Sequence, residues 1–175
     1  MAWRILTYRL TAEESRHRVG VWRELRRVGA VALQQATWAI PRGDRFDEGV
    51  DRAMELVTRG GGRPLLFEVT PSDQASAALE ELFTAEREAE WVEFVSECAK
   101  CETELHSEFD KEKFTLAELD EEEHNLERLR RWYRELRGKD VFGAPTAPVA
   151  EQALKQCGEV LEAFAERVFQ VRERP

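Results

Sequence analysis

Arg16, Arg23 and Arg27 stand seven and four residues apart. On an α-helix that spacing lines three guanidinium groups along one stripe. Such a stripe can contact phosphates, with an affinity that falls steeply as salt rises. Glu24 is the acidic residue that interrupts it in sequence, and it is read as facing elsewhere. A solvated surface helix carries the same pattern, so the stripe alone supports both readings equally. Arg18 points toward the apolar side and is expected to be paired and partly buried. A second basic cluster holds Arg128, Arg130, Arg131, Arg134, Arg137 and Lys139, of which Arg130, Arg134 and Arg137 share a helix face. Arg130, Arg131 and Arg134 are the second set of nucleic-acid-binding candidates. Their place near a helix C-terminus, where cations offset the dipole, and the many glutamates nearby account for them without a ligand.

Cys98 and Cys101 form a CxxC, followed by Glu102 and His106. A thiolate–imidazole–carboxylate set can hold a metal or sense redox state. Here the pair lies among apolar helical positions, without the second CxxC or paired histidines of a structural zinc site. Buried structural cysteines are therefore preferred to a metal or redox site at Cys98, Cys101 and His106. Cys157 joins them if the last helix folds alongside. Glu121 and His124 have E-x-x-H spacing, but di-iron bundles need two such motifs, and a run of DEEEH produces one by chance. No nucleophile elbow, Walker A loop or dinucleotide fingerprint is present. Gly60–Gly62 precedes a strand and reads as a turn. No catalytic residue is assigned and no cofactor is implied.

The elements that must position these residues follow from hydrophobic periodicity. Ile5, Leu6 and Tyr8 read as a buried strand. Thr11 and Glu14 have capping-box spacing and open the first helix. Val21, Leu25 and Val28, with Trp22 beside them, form the face that packs on the sheet. Gly29 stops that helix. Ala30 to Ile40 is extended, with Gln34-Gln35 as a break between two short strands; a single longer strand fits the pattern almost as well. Phe46 to Val57 is a second helix, and Leu65, Leu66, Phe67 and Val69 are a last strand. The order β-α-β-β-α-β suits a ferredoxin-like sandwich over residues 1–71. Beyond Pro71 the spacing is helical. One helix runs from about Leu79 to Phe109, a second opens on a capping box at Thr115 and Glu118 and stops at Gly138, and a third has Pro148 in its first turn. Residues 72–175 are thus expected to form a long-helix bundle packed with the first part as one unit. The fold class is α+β.

Charge divides along the same line. Through Pro71 there are 12 Lys+Arg against 9 Asp+Glu, or +3; the remainder has 14 against 26, or −12, and the two sum to the chain's −9. An acidic whole argues against indiscriminate DNA or membrane binding. Three cysteines are too few for a secreted disulfide framework. No apolar run reaches membrane-spanning length, and a signal peptide's apolar core is lacking at the N-terminus. A cytoplasmic protein with no membrane partner is the simplest reading.

Three stretches carry a family resemblance: SRHRVGVWRELRRVGAVALQQATWAIP, FTLAELDEEEHNLERLRRWYRELRGKDVFGAP and the closing helix. Together they resemble the N-terminal domain of the ChrB family, bacterial chromate-resistance regulatory proteins, over nearly the whole chain. The resemblance implies a chromate-responsive regulator of transcription that binds DNA through this region. Family members carry a further C-terminal chromate-resistance domain, and this chain is expected to stop before it. The first half is also similar to the ferredoxin-like domain shared by Cas2 nucleases and PaaX-type repressors. Arg9 stands where the Cas2-like metal-binding aspartate would be, and a guanidinium repels Mg²⁺ where a carboxylate ligates it. Nuclease activity is therefore not expected. The resulting expectation is a DNA-binding regulatory module, acting as a homodimer and linked to chromate or oxyanion stress. The alternatives are a protein-interaction scaffold built on the acidic back portion, and a metal or redox sensor at the cysteines.

Overall fold

The computed structural model describes residues 2–10 and 15–173. The capping box at Thr11 and Glu14 lies outside the described residues. The elements run β1 (Trp3–Arg9), α1 (Ser15–Val28), β2 (Val31–Gln34), β3 (Thr37–Pro41), α2 (Asp44–Arg59), β4 (Arg63–Val69), α3 (Asp73–Asp110), α4 (Leu116–Lys139) and α5 (Ala147–Arg172). The chain divides into two compact units, Met1–Glu86 and Arg87–Pro175, with the division inside α3.

The first unit is α+β. Its four strands form one antiparallel sheet in the order β2-β3-β1-β4. β1 is central: Leu6 lies opposite Trp38 of β3 and Leu66 of β4, and Ile5 lies opposite Ala39 and Phe67. Ala30 to Ile40 is a hairpin. Gln34 pairs with Thr37, and Ala36 turns the chain in the left-handed region at φ 56°. The Tyr8 N–H donates to the Ala36 carbonyl at 3.1 Å, which fixes that turn to β1. α1 ends where its sequence says it should. Gly29, at φ 93°, lets its own N–H donate to Arg26 and the Ala30 N–H donate to Leu25, so two terminal carbonyls are satisfied. Leu6, Val21, Leu25, Ile40, Val50, Ala53 and Val57 are fully buried. α1 and α2 pack closely enough that a Cβ at Gly49 would sit 2.1 Å from Val28 Cγ2. Only glycine admits that approach. Arg4 is buried in β1 and pairs through Nη1 with Asp47 of α2 at 2.7 Å.

The second unit is helical. Trp91, Phe94, Cys98 and Leu105 of α3 share a core with Leu126 and Leu129 of α4 and Cys157, Leu161 and Phe164 of α5. α3 spans 38 residues, or roughly 57 Å at 1.5 Å per residue. It closes with Glu112 at φ 54°, where a non-glycine residue holds the left-handed cap. Thr115 caps α4 by accepting the Glu118 N–H on its hydroxyl at 3.2 Å. Gly138 does not stop α4, which continues to Lys139 with Asp140 as its C-cap. The next turn is organised by Asp140 itself. Its buried carboxylate accepts from Trp91 Nε1 at 2.9 Å and from the backbone N–H groups of Gly143 and Ala144. Pro148 sits in the first turn of α5. Among the described residues no helix is long and apolar enough to cross a membrane.

Candidate nucleic-acid interface

The outward face of α1 is built by the side opposite Val21 and Leu25. Both of those are fully buried, so the helix turns Arg16, Arg23 and Arg27 to solvent. Their spacing keeps the three within one stripe. Arg16 and Arg23 form no ion pair among the described residues. Arg27 differs. Its Nε and Nη2 donate to the two carboxylate oxygens of Glu24 at 3.0 and 2.5 Å. Glu24 thus does not face elsewhere, as its sequence position suggested: residues three apart are neighbours on a helix surface. Glu24 also accepts from Arg52 of α2 at 2.9 Å, and Arg52 pairs in turn with Glu48. The Arg27 hydrogen bond, helped by Arg52 and opposed by burial, holds Glu24 below the usual carboxylate range. The net positive stripe is therefore Arg16 and Arg23, with Arg27 largely neutralised.

Two residues that periodicity placed on the apolar side of α1 are exposed instead. Trp22 was expected beside the packing face and is instead 51% exposed, with Val19 near it in exposure at 43%. The Arg26 guanidinium lies 5.9 Å from the Trp22 ring centroid and pairs with Glu86 at 2.8 Å. Arg18 is exposed, not partly buried.

A further basic spot appears only once strand register is known. Arg9, at the end of β1, lies directly opposite Arg63 at the start of β4. Both side chains are exposed, and neither forms an ion pair among the described residues. Like charges directly opposite on a sheet repel, and an anion between them would relieve that repulsion. Nothing in the local sequence signals this pair, because the two lie far apart in the chain.

The second cluster is less available. Arg130 and Arg134 share Glu127, at 3.9 and 3.2 Å. Arg131 is exposed and forms no ion pair among the described residues. Arg137 and Lys139 occupy the last turn of α4, where they complement the helix dipole.

The thiols and His106 separate. Cys98, Cys101 and Cys157 are all buried and free, and Cys157 Sγ donates to the Cys98 carbonyl at 3.3 Å. The contact with Cys157, reinforced by burial, keeps the Cys101 thiol far above its ordinary range and hence protonated. His106 is exposed, and its Nδ1 meets the Glu102 carbonyl at 2.7 Å within the same helix. Among the described residues no group of three or more His, Cys, Asp or Glu side chains is placed to hold a metal ion. His124 likewise points to solvent, against Asp120.

A family model described as "Protein ChrB, N-terminal" matches residues 18–175, so it takes in most of α1 and everything after it. No curated protein matches the chain.

Proposed function

The chain belongs to the ChrB N-terminal family, and on that premise we propose that it is the DNA-binding regulatory module of a chromate-resistance system, acting as a homodimer in the cytoplasm. The observation that carries this reading is the outward face of α1. Arg16 and Arg23 lie in one exposed stripe with no carboxylate partner among the described residues, in a chain of net charge −9. A basic stripe on an acidic protein steers a polyanion to one face and repels it from the rest. Arg16 and Arg23 contact phosphates, Arg9 and Arg63 extend the positive surface, and Trp22 supplies an apolar contact beside it. The element order and the strand order β2-β3-β1-β4 support reading the first unit as a ferredoxin-like sandwich. Arg9 at the end of β1 supports a regulatory rather than a nuclease role, since a guanidinium disfavours a divalent cation there.

The test is a charge reversal. Arg23→Glu should weaken binding to duplex DNA from the regulated promoter at least about tenfold, while Arg134→Glu, at an arginine already paired with Glu127, should change it little. Equal losses from both variants, or none from either, would remove α1 from the mechanism.

A second reading has its own observation. α4 and α5 flank an open groove of about 890 Å³. Leu126, Leu154 and Leu161 line it, and Glu123, Glu127, Glu151, Glu159 and Glu162 rim it against Arg130 and Lys155. That chemistry suits a basic amphipathic helix of a protein partner. Capture of such a partner with no retention of duplex DNA would favour this scaffold role.

A further inference from the structure

β4 is an end strand of the sheet, with β1 on one side only. Which of its backbone groups face outward follows from one hydrogen bond. The Tyr8 N–H donates to Ala36, toward β3. Backbone groups alternate sides along a strand. The even-numbered residues of β1 therefore bond toward β3, and the odd-numbered ones, Trp3, Ile5 and Thr7, bond toward β4. Their partners in register are Val69, Phe67 and Leu65. The N–H and C=O groups of Leu66 and Glu68, and the C=O of Pro64, are left turned to the open edge. Pro64 fits this phase, because a proline in a strand belongs where its missing N–H faces outward.

The same strand exposes apolar side chains. Leu65 is 50% exposed and Phe67 49% exposed, and alternation puts both on one face of the sheet. An edge with free backbone groups and a greasy face is a template for another strand.

We propose that this edge pairs, antiparallel, with β4 of a second copy of the chain, with Leu65 of each copy opposite Phe67 of the other. A two-fold axis normal to the sheet passes midway between the two copies of Leu66, which then lie opposite each other. The strand is self-complementary in that register. Each Leu66 N–H donates to the other Leu66 carbonyl. Each Glu68 N–H donates to the other Pro64 carbonyl, so the proline is used as an acceptor, which is all it can be. Leu65 and Phe67 of both copies form a four-residue apolar cluster on one face, in closely spaced pairs. Sliding the register so that Phe67 opposes itself would bring the two Glu68 carboxylates diagonally together, which like charge disfavours. The two-fold contact uses the β4 edge of each copy and, being isologous, closes at two chains.

This deepens the dimer half of the proposed function and stands apart from the DNA half, so the test contains no nucleic acid. Sedimentation equilibrium should give twice the 20.3 kDa chain mass at micromolar concentration. Leu65→Lys/Phe67→Lys should be monomeric, its dissociation constant raised at least about a hundredfold, with an unchanged circular dichroism spectrum because both side chains are already half exposed. Register is read by cross-linking. On mild oxidation with oxidised glutathione, Leu65→Cys/Phe67→Cys should form a covalent dimer that neither single variant forms. A monomeric wild type, a Lys variant that stays dimeric, or a covalent dimer from Phe67→Cys alone would overturn the proposal.

Discussion

Asp140→Ala should be among the most damaging single substitutions in the second unit. The Asp140 carboxylate is 4% exposed and serves three donors: Trp91 Nε1–H at 2.9 Å, Gly143 N–H at 3.0 Å and Ala144 N–H at 2.9 Å. Gly143 is exposed, so its N–H turns to water when the carboxylate is lost. Trp91 and Ala144 are 0% and 2% exposed, and their donors are stranded. An orphaned buried donor costs about 1–3 kcal/mol, so two cost about 2–6, with ~4 kcal/mol as the central value. For a chain of this length, that corresponds to a fall of about 8–16 °C in Tm. Urea unfolding followed by tryptophan fluorescence reads the change in ΔG directly. Asp140→Asn should be nearly as harmful, because both carboxylate oxygens accept and an amide nitrogen must then confront a donor. A double-mutant cycle with Trp91→Phe isolates the indole bond and should show a coupling of at least about 1 kcal/mol. A cost below about 0.5 kcal/mol for Asp140→Ala would refute the reasoning, since that is the range of ordinary surface substitutions.

The remaining predictions concern charge and strain. Burial raises the Glu122 carboxyl, and the nearby charges of Glu104, Glu121 and Glu108 add to it against the Asn125 hydrogen bond. The native state then holds that proton more tightly than the unfolded state, and stability is lost as pH climbs from the ordinary glutamate range through the raised value. Glu122→Gln should therefore raise the urea midpoint at neutral pH, with the gain vanishing below about pH 4; a gain that persists in acid would contradict this. Glu112→Gly relieves a left-handed cap at φ 54° and should stabilise α3 by up to about 1 kcal/mol, seen as a higher Tm. Glu24→Gln removes a negative charge from beside the Arg16 and Arg23 stripe and should tighten duplex binding, most clearly at low salt.

The first unit was legible because its signals are local. Short apolar runs mark β1 and β4, and Gly29 marks the end of α1 through a backbone conformation that favours glycine. The helical spacing after Pro71 likewise yielded α3, α4 and α5, and Thr115 capped as its type requires. What was misread depends on angle or on register. Trp22 lies only a fraction of a turn from Leu25, and α1 buries too narrow a stripe to cover it, because its close approach to α2 is at Val28 and Gly49. His106, eight residues after Cys98, is turned about 80° away from it at 100° per residue, which is enough to leave it in solvent while the thiols are buried. Gly138 ended α4 on paper, but an interior glycine costs only about 1 kcal/mol and Asp140 supplies the better cap. The Arg9–Arg63 pair and the outward phase of β4 exist only in the sheet register, which no single segment encodes.

The central claim is that α1 meets phosphates through Arg16 and Arg23, and the slope of log K against log salt tests it most directly. Each phosphate contact to duplex DNA contributes about −0.9 to that slope. Arg16→Ala/Arg23→Ala should make it shallower by about 1.8, while the melting temperature stays unchanged. An affinity that drops with no change in slope, or a slope and affinity both equal to wild type, would contradict the account.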